Sequence, residues 1–472
     1  MISIKKLKED YLWALACASV LFLVFFRGRW ALKAVNQYDD QCYLEWLHKF
    51  LFTPYPACYS SSHLPGGAIL WIPVGWLSKL LSTLTSIPLA QWLEPLIGLQ
   101  TFLTWAISLI LLQKIILKFK VSSLQSKKIA LVFLLNIPVL EFMTQFNFST
   151  VAAELFLCCC LIYWVITKRW ILAVLAAVLL NLTRLNDMVA FLVILGALID
   201  SQKAKQLHFS EKTKRLLLLG FAILFGLATA YALFIGIFKG YNGLFLKDIL
   251  PRLSPYRWWR GLFMGGWGLF WAAPAAILIF IFSLFFIKKL TWFSRAGLVW
   301  IFAEITLIIA LNECRSDYTN PPWRYIIGSM IGMLPALLEI SQFLLPKWRK
   351  LSGYAMAFLA TWQVYLAFVT HSFTTLNYWK VTQWVDNWSL LHYVYILKNP
   401  LDLIKLLYLS PIGFTIFSWG ADQPYFQRYA QYSKYALKGP ALYLLTIGTI
   451  IALALLVLFV IKKIRDAATE VL

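Results

Sequence analysis

Ser149-Thr150-Val151-Ala152-Ala153-Glu154-Leu155-Phe156-Leu157-Cys158-Cys159-Cys160-Leu161-Ile162-Tyr163-Trp164-Val165-Ile166-Thr167 runs straight into Lys168-Arg169 and carries a single acid before that basic stop. A helix crosses a bilayer with about 20 apolar residues, and with fewer where it is bent or packed against neighbours. Eleven further runs read the same way: 11–27, 92–113, 129–146, 170–183, 188–200, 216–238, 265–287, 296–311, 325–345, 351–370 and 439–461. The expectation is an all-α polytopic membrane protein of about twelve transmembrane helices. Two of these runs, 170–183 and 188–200, are short and joined by Arg184-Leu185-Asn186-Asp187. They read as a hairpin that stops short of the far surface.

Composition agrees. Hydrophobic residues make up 61% of the 472 and charged ones 14%, against roughly 45–50% and 25% in soluble domains. The formal charge of +22 would suggest nucleic acid in a soluble chain; hydrophobicity this high excludes that reading and assigns the surplus to membrane orientation. Lys5, Lys6 and Lys8 precede an apolar run from Tyr11 to Phe26, and Arg27-Gly28-Arg29-Trp30 follows it with no small-residue cleavage site. That segment reads as a retained anchor. The cysteines at 17 and 158–160 sit in apolar runs as core residues, and the five histidines are scattered without zinc spacing.

The stretch from Pro65 to Leu84 is apolar but carries Pro65-Gly66-Gly67, Pro73 and Gly75, which weaken a straight spanning helix. Read as a juxtamembrane or re-entrant helix, it puts every short basic linker on one side. Residues 5–8, 114–128, 168–169, 203–215, 288–295, 347–350 and 462–465 then hold 24 of the 43 basic residues, and the other 19 are spread over much longer opposite segments. The dense side is cytosolic by the positive-inside rule, with both termini on it. The organisation that follows is a membrane module over 1–370 with its first external loop at 28–91, an external segment at 371–438, and a last span with a basic tail at 439–472.

The first external loop opens Asn36-Gln37-Tyr38-Asp39-Asp40-Gln41-Cys42-Tyr43, and Leu44, Leu47 and Leu51 then recur at helical spacing. This predicts an amphipathic helix on the membrane surface. Asp39 and Asp40 have two readings: carboxylates favouring a helix N-terminus, or a general base with a hydrogen-bonding or metal-binding partner above the bilayer. Farther on, His63 lies in the turn before Pro65-Gly66-Gly67, as an interfacial residue or a cavity group. Cys42 and Cys58 flank this region on the oxidising side, and a disulfide between them is open.

Outside positive charge is sparse and clustered. Arg184 sits beside Asn186 and Asp187; Arg252, Arg257 and Arg260 surround Ser254-Pro255-Tyr256 and Trp258-Trp259; Arg315 and Arg324 bracket Asp317-Tyr318-Thr319-Asn320-Pro321-Pro322-Trp323. They serve either as aromatic-belt anchors and ion-pair partners or as phosphate ligands, since a guanidinium stays charged and binds two phosphate oxygens at once. Glu141, Glu154, Glu304 and Glu339 lie in or near spans, where an ionised side chain needs a partner or water. Glu141 and Glu154 fall near the external face and are candidates to border a cavity there; Glu339 lies towards the cytosolic lysines.

With these residues laid out, the chain resembles the GT-C superfamily of membrane glycosyltransferases, in particular its dolichyl-phosphate-mannose protein mannosyltransferase-like and lipid A aminoarabinose transferase-like branch. Tyr38-Asp39-Asp40 stands where that superfamily carries an acidic pair after its first span, although the second acid is often Glu in relatives. His63-Leu64-Pro65-Gly66-Gly67 is similar to its turn into a juxtamembrane helix. Gly268-Leu269-Phe270-Trp271-Ala272-Ala273-Pro274 and Trp323-Arg324-Tyr325 resemble later segments of bacterial members. The likeness covers about residues 11–345, and residues 371–438 match nothing in it.

The resemblance implies a GT-C-like bundle and a polyprenyl-phosphate sugar lipid as donor. It implies inverting transfer to an acceptor hydroxyl of a glycan, lipid or protein on the external face of a bacterial inner membrane. Asp39 is then the base and Asp40 its partner or the second candidate, with Arg324, Arg257, Arg260 and Arg184 as phosphate candidates. His63, Glu141, Glu154, Asp187 and Tyr38 are further cavity candidates. No cofactor is required beyond a divalent metal on Asp39 and Asp40, if any. Two alternatives compete. A transporter or flippase of a lipid-linked or anionic solute would rest on Glu141, Glu154 and Glu304 near mid-bilayer, and an O-antigen ligase or polymerase-like enzyme would lean on external arginine and histidine.

Overall fold

The computed structural model describes residues 14, 16–20, 39–55, 65–137, 150–203, 226, 254–263, 269–310, 326–376, 448, 451–452, 454–456 and 458. Every regular element among them is helical, with no strand. The helices are α1 (Asp39–Phe50), α2 (Gly66–Thr85), α3 (Leu89–Leu117), α4 (Ser123–Asn136), α5 (Val151–Ile166), α6 (Trp170–Thr183), α7 (Phe191–Lys203), α8 (Pro255–Phe263), α9 (Pro274–Phe285), α10 (Trp292–Ala310), α11 (Ile327–Phe343) and α12 (Pro346–Leu376). By length and composition α2, α3 and α10 can each cross a membrane, and α5, α6, α9 and α11 are apolar but shorter. The runs expected at 216–238 and 439–461, and the segment 377–438, lie wholly or largely outside the described residues.

The opening run of the sequence becomes α5, the most enclosed helix: Val151, Leu155, Cys158, Cys159, Leu161 and Ile162 have no exposed surface. α3 packs alongside it in the same sense, with the Lys114 ammonium, near the end of α3, 5.9 Å from the centre of the Tyr163 ring, near the end of α5. α11 runs alongside in the same sense as α5, since its start meets Glu154 through the Gly328 N–H. At the far ends of α7 and α11, two carboxylates cap the start of α10. Asp200 accepts from the N–H groups of Trp292 (3.0 Å) and Phe293 (2.8 Å), and Glu339 accepts from the Thr291 N–H at 3.0 Å and from the hydroxyls of Thr291 and Ser294. A carboxylate at a helix N-terminus satisfies orphan N–H groups and favours the dipole. Glu339, expected to face lysines, is used as a cap.

These contacts bring Lys114, Lys118, Lys168, Arg169, Lys288, Lys289, Arg295 and the start of α12 to one end of the bundle, the basic end. α1 and α2 stand at the other. The apolar face predicted for α1 exists, with Leu44, Leu47 and Leu51 at 0% exposure, but it is covered by protein. Ala68 and Trp71 of α2 and Leu93 and Ile97 of α3 close over it in a cluster separate from the main core. Burying each leucine contributes about 1.5–3 kcal/mol, so α1 needs no lipid to hold it down.

α2 runs unbroken through Pro73 for 20 residues, straighter than its glycines and prolines suggest. It folds back on the first part of α3: the Gln100 amide donates to the Leu70 carbonyl at 2.6 Å, and the Trp92 indole N–H to Thr85 Oγ1 at 3.1 Å. The start of α2, Gly66 to Leu70, meets the bundle. A Cβ on Gly66 would run into the backbone of Leu182 and Thr183, and one on Gly67 into the side chain of Thr150.

Two outcomes follow. Asp200→Ala strands the N–H groups of Trp292 and Phe293 and should lower stability by about 1–2 kcal/mol, seen as a lower melting temperature of the purified protein, with Asp200→Asn restoring part of it. His48 stacks on Tyr55 with ring centres 4.4 Å apart, its Nδ1 lies 2.8 Å from Thr53 Oγ1, and burial lowers its pKa below 6.5. The unfolded chain therefore takes the proton first, and stability present above pH 6.5 is lost as pH falls. The opening equilibrium of α1, read from hydrogen exchange after division by the intrinsic amide rate at each pH, should rise on acidification through that range and stay flat in His48→Gln.

Candidate functional site

Where α2 touches the bundle, four elements converge. Thr150, just before α5, puts its hydroxyl 3.4 Å from the Tyr43 hydroxyl of α1. Gly67 lies against Thr150, and Gly66 against Thr183 at the end of α6. Asp39 and Asp40, the first residues of α1, stand one helical turn before Tyr43. Arg184 follows Thr183 directly and opens a 3-10 turn, Leu185–Ala190. The hairpin expected between the short runs is this turn, tucked inward: the Arg184 side chain is 10% exposed and Asp187 is fully buried.

Beneath the turn lies a polar cluster in apolar surroundings. Arg184 Nε sits 2.7 Å from Glu154 Oε2, and Glu154 Oε1 accepts from the Gly328 N–H at 3.2 Å. Glu304 accepts from the Trp300 indole N–H at 2.8 Å and from the Ser329 hydroxyl. Asp187 and Glu304 are within hydrogen-bond reach of each other. Glycine makes the fit possible, because a Cβ on Gly328 would lie 2.6 Å from Asp187 Oδ1 and 3.0 Å from the Trp300 ring. A Cβ on Gly297 of α10 would strike the backbone of Gly332 of α11, so these helices cross closely enough for Ser329 to reach Glu304.

Of the residues singled out by sequence, Glu154, Arg184 and Asp187 are joined here, and Asp39 and Asp40 belong to the same corner. Glu154 and Asp187 are wholly enclosed, so they brace Arg184 instead of bordering an open cavity. Arg257 and Arg260 are elsewhere, on α8. Ser254 caps that helix, its hydroxyl accepting from the Arg257 N–H at 3.3 Å, and Pro255 fits the first turn. Trp258 stacks on Phe302 with ring centres 6.0 Å apart, and Gly261 faces Ile309, which puts α8 on the flank of α10. Tyr256 and Trp259 remain exposed, as belt residues do. Tyr38, His63, Glu141 and Arg324 lie outside the described residues.

Sequence reasoning did not join Tyr43, Thr150, Trp300, Gly328 and Ser329 to the site. Two signals pointed there: Trp300 and Glu304 are four residues apart on one helix, and Tyr43 is one turn from the acid pair. No group of three His, Cys, Asp or Glu side chains among the described residues is arranged to hold a metal ion. Cys42 is disulfide-bonded; its partner lies outside the described residues.

No family model matches this chain, and no curated protein or solved structure matches it significantly. The geometry therefore carries the functional argument alone. Removing one member of a buried ion pair strands the other, at about 3–5 kcal/mol. Glu154→Gln and Arg184→Gln should each lower the melting temperature sharply, and the double variant should recover much of the loss in a double-mutant cycle.

Proposed function

We propose that the chain is a membrane glycosyltransferase that moves a sugar from a polyprenyl-phosphate donor to an acceptor hydroxyl on the external face, with inversion. The observation that carries this reading is the meeting of the α1 start, which bears Asp39 and Asp40, with the turn that bears Arg184, through Tyr43 against Thr150 and Gly66 against Thr183. The chemistry needs those two groups together. A carboxylate takes the acceptor proton as the hydroxyl oxygen bonds to the anomeric carbon, the bond from that carbon to the phosphate oxygen breaks, and a cation stabilises the departing lipid phosphate. Asp39 is the base, Asp40 its partner, and Arg184 and Arg324 the leading phosphate candidates, with Arg257 and Arg260 farther off on α8.

The external orientation has two independent supports. The lysines gather at the opposite end, as cytosolic charge does, and Cys42 of α1 is disulfide-bonded, which belongs to an oxidising compartment. The same reasoning supports a multi-pass arrangement with cytosolic termini, and the bacterial inner membrane is the setting we propose for it.

One observation favours a second reading, transport of a lipid-linked or anionic solute: Glu154 and Glu304 share one buried cluster inside the bundle. The two readings separate in one experiment. Membranes containing the chain and a labelled polyprenyl-phosphate sugar should yield a covalent product, and Asp39→Asn or Asp40→Asn should cut its rate by about 100-fold or more. Full transfer in both variants removes the catalytic assignment, and solute uptake into proteoliposomes without product establishes the transporter.

A further inference from the structure

We infer that Asp187 is a positioning residue for Arg184 that works as a neutral carboxylic acid, donating its proton to Glu304. The hydrogen-bond inventory carries this. Glu304 is supplied with two donors, the Trp300 indole and the Ser329 hydroxyl, as an ionised carboxylate requires. Neither oxygen of Asp187 accepts a hydrogen bond among the described residues, although the side chain is completely buried. Two carboxylates in contact bond only through a proton, and the member without donors is the one that bears it. Charge agrees: among the described residues three carboxyl groups face one guanidinium, and Glu154 already balances Arg184.

Asp187 is well placed for this work. Its own N–H donates to the Arg184 carbonyl at 3.2 Å, so a bond from its side chain to α10 fixes the turn at the point where Arg184 leaves it. Glu304 passes the tether to α11 through Ser329, and Glu154 does the same through Gly328. Among the described residues, the titratable groups facing Asp187 are Glu154 and Cys158 from α5, Arg184 from its own turn and Glu304 from α10. α6 carries none, and neither does the first turn of α11, Ile327 to Met330.

The proton assignment goes beyond the transfer reading; only its consequence at Arg184 rests on it. The test uses the purified full-length chain in nanodiscs containing undecaprenyl phosphate. The infrared carbonyl band of a protonated carboxylic acid should be present in the wild type and lost in Asp187→Asn. Asn also donates to Glu304, so this variant should melt within about 2 °C of wild type and keep affinity for undecaprenyl phosphate within about twofold. Asp187→Ala should melt lower and lose affinity about tenfold, as Arg184→Gln does. A band that survives Asp187→Asn, or an Asn variant as unstable as Ala, overturns the proton assignment. Full affinity in Arg184→Gln overturns the role at Arg184 and leaves the infrared band to decide the proton by itself.

Discussion

Charge withdrawn from water into an apolar bundle must be neutralised where it stands, and the Glu154–Arg184 pair is where this fold meets that demand. Each partner alone would carry a penalty of several kcal/mol; together they fasten α5 to the turn after α6. The remaining acids follow the same rule, with Glu304 surrounded by donors and Asp187 pressed against it. Arrangement of the central helices is thereby tied to a few polar atoms. Apolar packing among Val, Leu and Ile tolerates many registers, whereas an indole N–H four residues before an acid, with a serine on the facing helix, tolerates one.

Carboxylates do a different job at the basic end. Asp200 and Glu339 spend their charge on the first N–H groups of α10, next to Lys288, Lys289 and Arg295. The net charge of +22 thus conceals a local division of labour in which lysines and arginines face outward at one end and acids tie helices together. At the opposite end Arg184 points inward, to Glu154.

The apolar runs and their basic stops gave α3, α5, α6, α10, α11 and much of α12 from sequence, because burial on all sides leaves an uninterrupted apolar signature. Partners across the bundle were not legible: nothing near Glu154 in sequence names Arg184, and nothing near Ser329 names Glu304, since these contacts depend on how helices cross. The periodicity of Leu44, Leu47 and Leu51 identified the buried face of α1 but not what buries it, as lipid and a neighbouring helix make the same demand on a side chain. At α2 the glycines were visible but their use was not: Gly66 and Gly67 are needed for close approach to α5 and α6. Asp39 and Asp40 were visible as a pair; their neighbourhood to the Arg184 turn was not.

α3 is continuous for 29 residues, about 43 Å at helical rise. Its later part is wedged among α4, α5 and the core, and its first twelve residues, 89–100, continue past the start of α5 to carry α1 and α2. One unbroken helix, with Pro95 in its first part, therefore spans from the lysine-bearing linkers to the platform that holds the acid pair. The platform is thus carried like a bracket on a post: where the start of α1 stands relative to the Arg184 turn is set by how the later part of α3 is seated in the bundle.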